Sequence, residues 1–191
     1  YNVDKIHQAI SQNRLIRFRY YEWTPQKEMH LRRNGKAYEI SPWGLTWDDE
    51  NYYMVGYDGE AEMIKHFRVD KMLGIEITDQ SRSGKEHFEK FDLANYAKKV
   101  FGMFSGEERT VKMLCENNLA GAMIDRFGRD VMMHSVDEEH FSVSAAVNVS
   151  PQFFGWLVAL GKGVVIKSPE DVREEFGGWM RAVMREYGNE G

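Results

Sequence analysis

Apolar residues recur at Val3, Ile6 and Ile10, a spacing that predicts a short helix ended by Asn13-Arg14. The period then changes to two. Ile16, Phe18 and Tyr20 alternate with Arg17, Arg19 and Tyr21, as in a strand with one buried face. Asn34-Gly35 reads as a hairpin turn between a strand ending near Arg33 and another from Lys36 to Ile40, which Pro42 is expected to break. Asp48-Asp49-Glu50-Asn51 is a polar turn leading into Tyr52–Tyr57, and Asp58-Gly59 is a second hairpin signal before Met63–Val69. One more strand is expected near Leu73–Ile77. Five or six short strands with tight turns predict a small antiparallel barrel or sandwich.

Residues 81–108 break this rhythm. They are polar and mildly basic, with a short helix expected around Leu93–Phe101, and Phe88, Phe91, Phe101 and Phe104 imply that the connector packs on something. From residue 109 onward the elements alternate. A strand at Thr110–Cys115, a helix near Leu119–Arg126 and strands at Val131–Val136 and Phe141–Val149 come first. Ser150-Pro151 then supplies an N-cap and a first-turn proline for a helix through Phe153, Trp156, Leu157 and Leu160, ended by Gly161. A strand at Val164–Ile166 follows. Ser168-Pro169 is expected to cap a last helix by the same logic, with Val172, Phe176, Trp179, Val183 and Tyr187 along one face. The order β-α-β-β-α-β-α predicts a ferredoxin-like unit with an added helix, and an α+β protein overall.

Composition narrows the function classes. Charge is evenly spread: 11 basic against 13 acidic residues over 1–80, 5 against 3 over 81–104, and 9 against 14 over 105–191, for a net −5. No segment has the basic footprint of a stand-alone duplex binder. The single cysteine, Cys115, forbids an internal disulfide and fits a reducing cytoplasm. No apolar run reaches the roughly 18 residues of a membrane span, so no membrane partner is expected, and the first residues lack the apolar region of a signal peptide. The chain begins at Tyr1 without Met, and further sequence is expected before it.

Catalytic signals are weak. The six histidines show no i, i+4 pair and there is no second cysteine, so no zinc site is expected. Gly161-x-Gly163 lacks a third glycine, Ser83-Gly84-Lys85 lacks the upstream glycine of a phosphate loop, and no G-x-S-x-G elbow exists. No cofactor is expected.

Certain stretches carry a resemblance. Asn51–Tyr57 followed by Lys65-His66-Phe67-Arg68-Val69-Asp70-Lys71-Met72 resembles a WYL domain, with the name-giving tripeptide on Tyr52-Tyr53-Met54 and only its middle tyrosine kept. Ile16–Tyr20 and Ile40–Leu45 fall where that family has its first strand and its Pro-x-x-Leu segment. Phe154-Gly155-Trp156-Leu157, Leu160-Gly161, Val164–Pro169 and the closing helix to Tyr187 are similar to the C-terminal WCX extension. The resemblance implies an SH3-like or Sm-like barrel with a leading helix over 1–80, a connector over 81–108, and a dimerising extension over 109–191. It also implies a bacterial transcription regulator whose barrel binds a negatively charged ligand, a nucleotide or single-stranded nucleic acid, and whose helix-turn-helix head, the reader of duplex DNA, lies outside this chain.

On that reading Arg68 is the first candidate for ligand contact, because a planar guanidinium matches phosphate oxygens in pairs. Its alternative is an ion pair with Asp70 or Glu39. Tyr53 is placed to stack on a base or to sit in the barrel core, and Lys71, His66 and Lys65 follow as weaker candidates. Arg17, Arg19, Arg32 and Lys36, with Tyr21 and Arg33, are candidates for a basic and aromatic groove of the kind single strands prefer, or for a charged strand edge. Trp156 and Trp179 are read as core or dimer contacts. Two other functions stay open at this point: an enzyme acting on nucleotides through His66, Asp70 and Tyr53, and a pure oligomerisation module.

Overall fold

The computed structural model describes residues 1–48, 50–89, 93–100 and 106–188. The chain divides into two compact units, Tyr1–Ala94 and Asn95–Gly191.

The first unit opens with helix α1 (Asn2–Ser11), whose Ile6 and Ala9 are fully buried. Six strands follow: β1 (Arg14–Trp23), β2 (Met29–Leu31), β3 (Tyr38–Asp48), β4 (Asn51–Asp58), β5 (Met63–Arg68) and β6 (Met72–Ser81). All pair antiparallel, with β6 and β3 both against β1, then β4 on β3 and β5 on β4. The sheet curls into half a barrel under α1. The alternation in β1 is as expected: Ile16, Phe18 and Tyr20 point inward and Arg17 and Arg19 outward. Phe18, Tyr20, Tyr38 and Phe67 form an aromatic cluster, Phe67 meeting the other three edge-to-face at 5.0 to 5.3 Å. Such contacts add about 0.5–1.5 kcal/mol each beyond the burial of their area.

Two turn expectations are corrected. Residues 29–31 pair with β1, Tyr21 opposite Leu31, so the hairpin turn lies at Thr24–Glu28, closed by the Glu28 carbonyl accepting from the Thr24 amide. Asn34-Gly35 instead completes a left-handed run with Arg33 (φ 55, 53 and 79° for Arg33, Asn34 and Gly35) that carries the chain across to β3. Asparagine and glycine tolerate that region for the same reason that they favour hairpins, so the local signal did not distinguish the two. Nor does Pro42 break β3. Pairing with β1 stops at Ile40, and a bulge between Pro42 and Gly44 absorbs the residue that lacks an amide donor.

The outer face of β3–β5 is also partly covered. Val55 is completely buried although it points away from the aromatic core. Residues 82–89 and Leu93 supply the cover: Phe88 stacks on Trp43 at 5.1 Å, His87 stacks on Tyr57 at 4.8 Å, and the Leu93 side chain fills the space beside Gly44. The Ser83 amide donates to the Ser41 hydroxyl at 2.9 Å, and Arg82 lies 3.9 Å from the Trp43 ring while donating to the Pro42 carbonyl. Phe91, Phe101 and Phe104 lie outside the described residues.

Helix α2 (Leu93–Lys99) runs across the division between the units. The second unit then follows the predicted order: β7 (Glu107–Glu116), α3 (Ala120–Phe127), β8 (Met132–Ser135), β9 (His140–Val149), α4 (Pro151–Ala159), β10 (Val164–Ser168) and α5 (Glu170–Gly188). The sheet order β10-β7-β9-β8, antiparallel throughout, is the ferredoxin-like arrangement. Phe141, Val143, Ala145 and Val147 of β9 face the helices, with Phe153, Phe154 and Leu157 of α4 packed on them. The Ser150 hydroxyl caps α4 by accepting from the Phe153 amide at 3.2 Å, as the Ser-Pro signal predicts. The second Ser-Pro signal is corrected: Ser168 ends β10, α5 starts at Glu170, and the Pro169 carbonyl, not a serine hydroxyl, accepts from the Arg173 amide.

Candidate ligand-binding face

Strands β4 and β5 set the geometry of the leading candidate. Tyr53 pairs directly with Arg68, and Val55 with His66, so these four side chains share the outer face of the sheet, with Thr46 of β3 opposite Tyr53. Phe67 and Met54, one residue out of phase, enter the core. The cover over this face reaches Val55 and Tyr57. Tyr53, His66 and Arg68, on the same face, are half-buried. The Arg68 backbone is anchored from below, because its amide donates to the Tyr20 hydroxyl at 3.1 Å. Burial holds the Tyr20 phenol above its ordinary pKa, so the oxygen keeps its proton.

The Arg68 guanidinium is occupied. Its Nε donates to one Asp70 oxygen at 3.1 Å and its Nη2 to the other at 2.8 Å, a two-pronged fork. This is the alternative that the sequence left open. These hydrogen bonds, donated by Arg68 and accepted by Asp70, raise the arginine's pKa and lower the carboxyl's, so both stay charged. The pair is accessible: the two side chains are 32% and 54% exposed. An exposed ion pair is worth about 0–1 kcal/mol.

Asp70 and Lys71 belong to a 3-10 turn, Val69–Lys71, that joins β5 to β6. Helix α1 pins that turn: the Asn2 amide donates to the Val69 and Met72 carbonyls at 3.0 and 2.9 Å, and the Lys5 ammonium donates to the Ile75 carbonyl at 2.9 Å. The Lys71 ammonium lies close enough to help keep Asp70 ionised. Sequence reading missed Asn2 and Tyr20 as supports of this corner. A buried tyrosine needs a hydrogen-bond partner, which is a signal, but the partner's identity depends on sheet register.

The other candidates do not join it. Lys65 points the opposite way from Arg68 along β5 and donates to Asp58 at 2.7 Å. Burial alone would raise the Asp58 carboxyl, but Lys65 and the amides of Ala61 and Glu60 hold it below its usual value. That knot secures the β4–β5 turn. Arg17 is forked on Glu39, its direct cross-strand partner, at 2.6 and 3.0 Å. Arg32 donates to Glu22 at 2.9 Å, and Arg33 and Lys36 together clamp Glu60 at 2.7 and 3.0 Å. Arg19 is exposed on the outer side of β1, opposite Leu73 of β6. Tyr21 is buried with Trp23 edge-on at 5.4 Å. These cations therefore decorate β1, the crossover to β3 and, for Lys65, β5, each but Arg19 balanced by an acid among the described residues.

A hollow of about 520 Å³ lies beside the Arg68 corner, lined by Asn2, Val3, Trp47, Tyr52, Val69 and Asp70 among others. Trp47 and Tyr52 form its aromatic wall, 4.8 Å apart and nearly perpendicular. Asp70 thus lies between the guanidinium and an open, partly aromatic space. Among the described residues no three His, Cys, Asp or Glu side chains come close enough to hold a metal ion, and no helix is long and apolar enough to cross a membrane.

Residues 1–77 match the family model of the WYL domain, so the first unit carries a WYL domain. No curated protein matches the chain in sequence. Among solved structures it is similar to proteasome accessory factor B/C (PafBC) of Arthrobacter aurescens, at 20% identity over 98% of this chain and 27% of that one, with a TM-score of 0.39. It is also similar to a CRISPR Cas-related protein, at 16% identity over 97% of this chain and 52% of the other, with a TM-score of 0.50. The second likeness is one of fold. The chain spans about a quarter and about half of the lengths of these two proteins.

Proposed function

We propose that this chain is the effector-sensing and dimerising portion of a bacterial transcription regulator that works in the cytoplasm. Its WYL domain binds a negatively charged ligand, a nucleotide or single-stranded nucleic acid, and passes that event to a duplex-binding head outside the chain. Residues 109–191, within the second unit, hold two copies together. The function is recognition, not catalysis.

One observation carries the ligand class. The Arg68 guanidinium is already forked on a carboxylate, in the two-pronged arrangement that a phosphate would take. On this reading Asp70 holds the place that the ligand's phosphate takes. Because the pair is accessible, exchanging Asp70 for a phosphate costs little, and Tyr53 beside Arg68 offers a ring for an adjoining base. The WYL-domain match supports the sensing role, and the near-neutral surface of the unit supports a small or single-stranded ligand over a duplex.

Titration calorimetry with a short single-stranded DNA oligonucleotide, for the wild type and Arg68→Ala, tests the reading. Losing a charged hydrogen-bonding partner is expected to weaken binding by about 1.5–3 kcal/mol, roughly ten- to a hundredfold, with far-ultraviolet circular dichroism unchanged. Equal affinity for the two proteins, or no heat of binding for the wild type, overturns it.

A further inference from the structure

The second unit holds a hollow of its own, of about 360 Å³, walled by the last turn of α2, the turn that leads into β8, and β9. None of its lining residues belongs to the first unit. Its size lies at the small end of the range for ligand pockets, roughly 300–1,000 Å³, which suits a molecule of amino-acid size. Two opposite charges stand at it without partners. Lys98 is half-buried, and its ammonium reaches Gly128, where an added Cβ would lie 2.8 Å from Nζ. Gly128 ends α3 with φ 90°, so the missing side chain is what admits the lysine. No acid meets Lys98 among the described residues, whereas its neighbour Lys99 is held by both oxygens of Glu108 at 3.2 and 3.1 Å. Asp130, exposed on the rim, has no basic partner among the described residues either. Phe127, Val131 and Met132 make much of the remaining wall apolar.

Strand β9 contributes backbone groups. The His140 carbonyl accepts from the Val136 amide, so the peptide groups of Ser142, Ser144 and Ala146, in phase with His140, also face the β8 side. Strand β8 begins at Met132, opposite Ser144, and among the described residues no strand lies beside Ala146. The Ala146 amide and carbonyl are therefore turned toward the hollow that Ala146 lines.

We propose that this hollow binds a free α-amino acid with an apolar side chain. The ligand's carboxylate accepts from the Lys98 ammonium and the Ala146 amide. Its ammonium donates to the Asp130 carboxylate and the Ala146 carbonyl, and its side chain lies on Phe127, Val131 and Met132. A zwitterion answers both charges at once. A plain anion such as phosphate would face Asp130 as a like charge, and a plain amine would face Lys98 in the same way. The chemistry is independent of the Arg68 corner, so the site stands whether or not Arg68 takes a phosphate.

Titration calorimetry on the whole chain is the test, with L-leucine, L-methionine and L-phenylalanine as probes up to about 10 mM, which reaches millimolar Kd values. At least one is expected to bind, and to bind roughly tenfold or more tightly than its deaminated and decarboxylated analogues (isocaproate and isoamylamine for leucine). Lys98→Met keeps the hydrocarbon stem and is expected to weaken both the amino acid and the deaminated analogue, again roughly tenfold or more. Asp130 is exposed, so Asp130→Asn leaves the fold intact; it is expected to weaken the amino acid and to spare the deaminated analogue. The amide resonances of Gly128 and Ala146 should shift on binding. No heat from any of the three amino acids overturns the proposal, as does an affinity that neither substitution changes. Equal affinity for the amino acid and its deaminated analogue, or a response to Lys98→Met alone, marks a simple carboxylate site and overturns the zwitterion.

Discussion

If Asp70 occupies the place of a ligand phosphate, removing its charge must strengthen ligand binding. Asp70→Asn keeps the side chain's size and deletes one negative charge. Two terms set the gain. The incoming anion no longer has to displace an exposed ion pair, worth about 0.2–1 kcal/mol at side-chain exposures of 32% and 54%. It also escapes repulsion by a carboxylate some 5 Å away, about 1 kcal/mol in a largely aqueous dielectric. Together these predict roughly 1–2 kcal/mol, an affinity gain of about five- to thirtyfold. The assay is calorimetric titration of both proteins with one single-stranded oligonucleotide at about 50 mM and again at about 300 mM salt. The gain is expected to shrink at the higher salt, because screening weakens both terms. The opposite sign, weaker binding by Asp70→Asn at low salt, would show that Asp70 positions Arg68 for the ligand instead of competing with it, and would refute the reasoning.

Three further outcomes follow from the same geometry. Tyr20→Phe removes the acceptor of the Arg68 amide and should cost about 1–2 kcal/mol in urea unfolding, with oligonucleotide affinity lowered as the end of β5 loosens; an unchanged unfolding midpoint would contradict the anchoring role. Hydrogen bonds from Arg33 and then Lys36 hold the Glu60 carboxyl at about 2 against an ordinary 4.5, and a depressed carboxyl pKa stabilises the fold above the unfolded value. The wild type's advantage over Glu60→Gln should therefore be complete above about pH 5 and vanish as pH falls from about 4.5 to 2, which acid unfolding of the two proteins would show; a constant difference across that window would contradict it. Gly84 has φ 76° and its missing Cβ would lie 2.3 Å from the Tyr57 ring, so Gly84→Ala should lower the thermal midpoint by several degrees as the cover over β4 lifts, and an unchanged midpoint would contradict that packing.

Much of the fold was legible because it rests on period. The alternation of Ile16, Phe18 and Tyr20, and of Phe141 through Val147, is read directly as inward and outward faces. The alternating element order of the second half likewise specifies a ferredoxin-like sheet. What failed was local chemistry with two outlets. Asn34-Gly35 suits a hairpin and a left-handed crossover equally, and Pro42 is excluded from a strand only where no bulge receives it. The site was half legible. That Arg68 shares a face with His66 and Tyr53 follows from alternation plus pairing. Which acid each cation meets does not, because Arg17 finds Glu39 and Lys65 finds Asp58 only once register is fixed. That the connector packs on something was legible from Phe88, but its partner was not, because Trp43 lies far earlier in the chain and meets it only in the fold.

The claim at the centre of this account is that the Arg68 fork exchanges Asp70 for a ligand anion. The Nε–Hε resonance of Arg68, assigned by its loss in Arg68→Lys, reports that exchange directly. On titration with a single-stranded oligonucleotide it should shift more than the signals of Arg17 and Arg32, whose acids stay in place. A resonance that stays still while the oligonucleotide binds would contradict the claim.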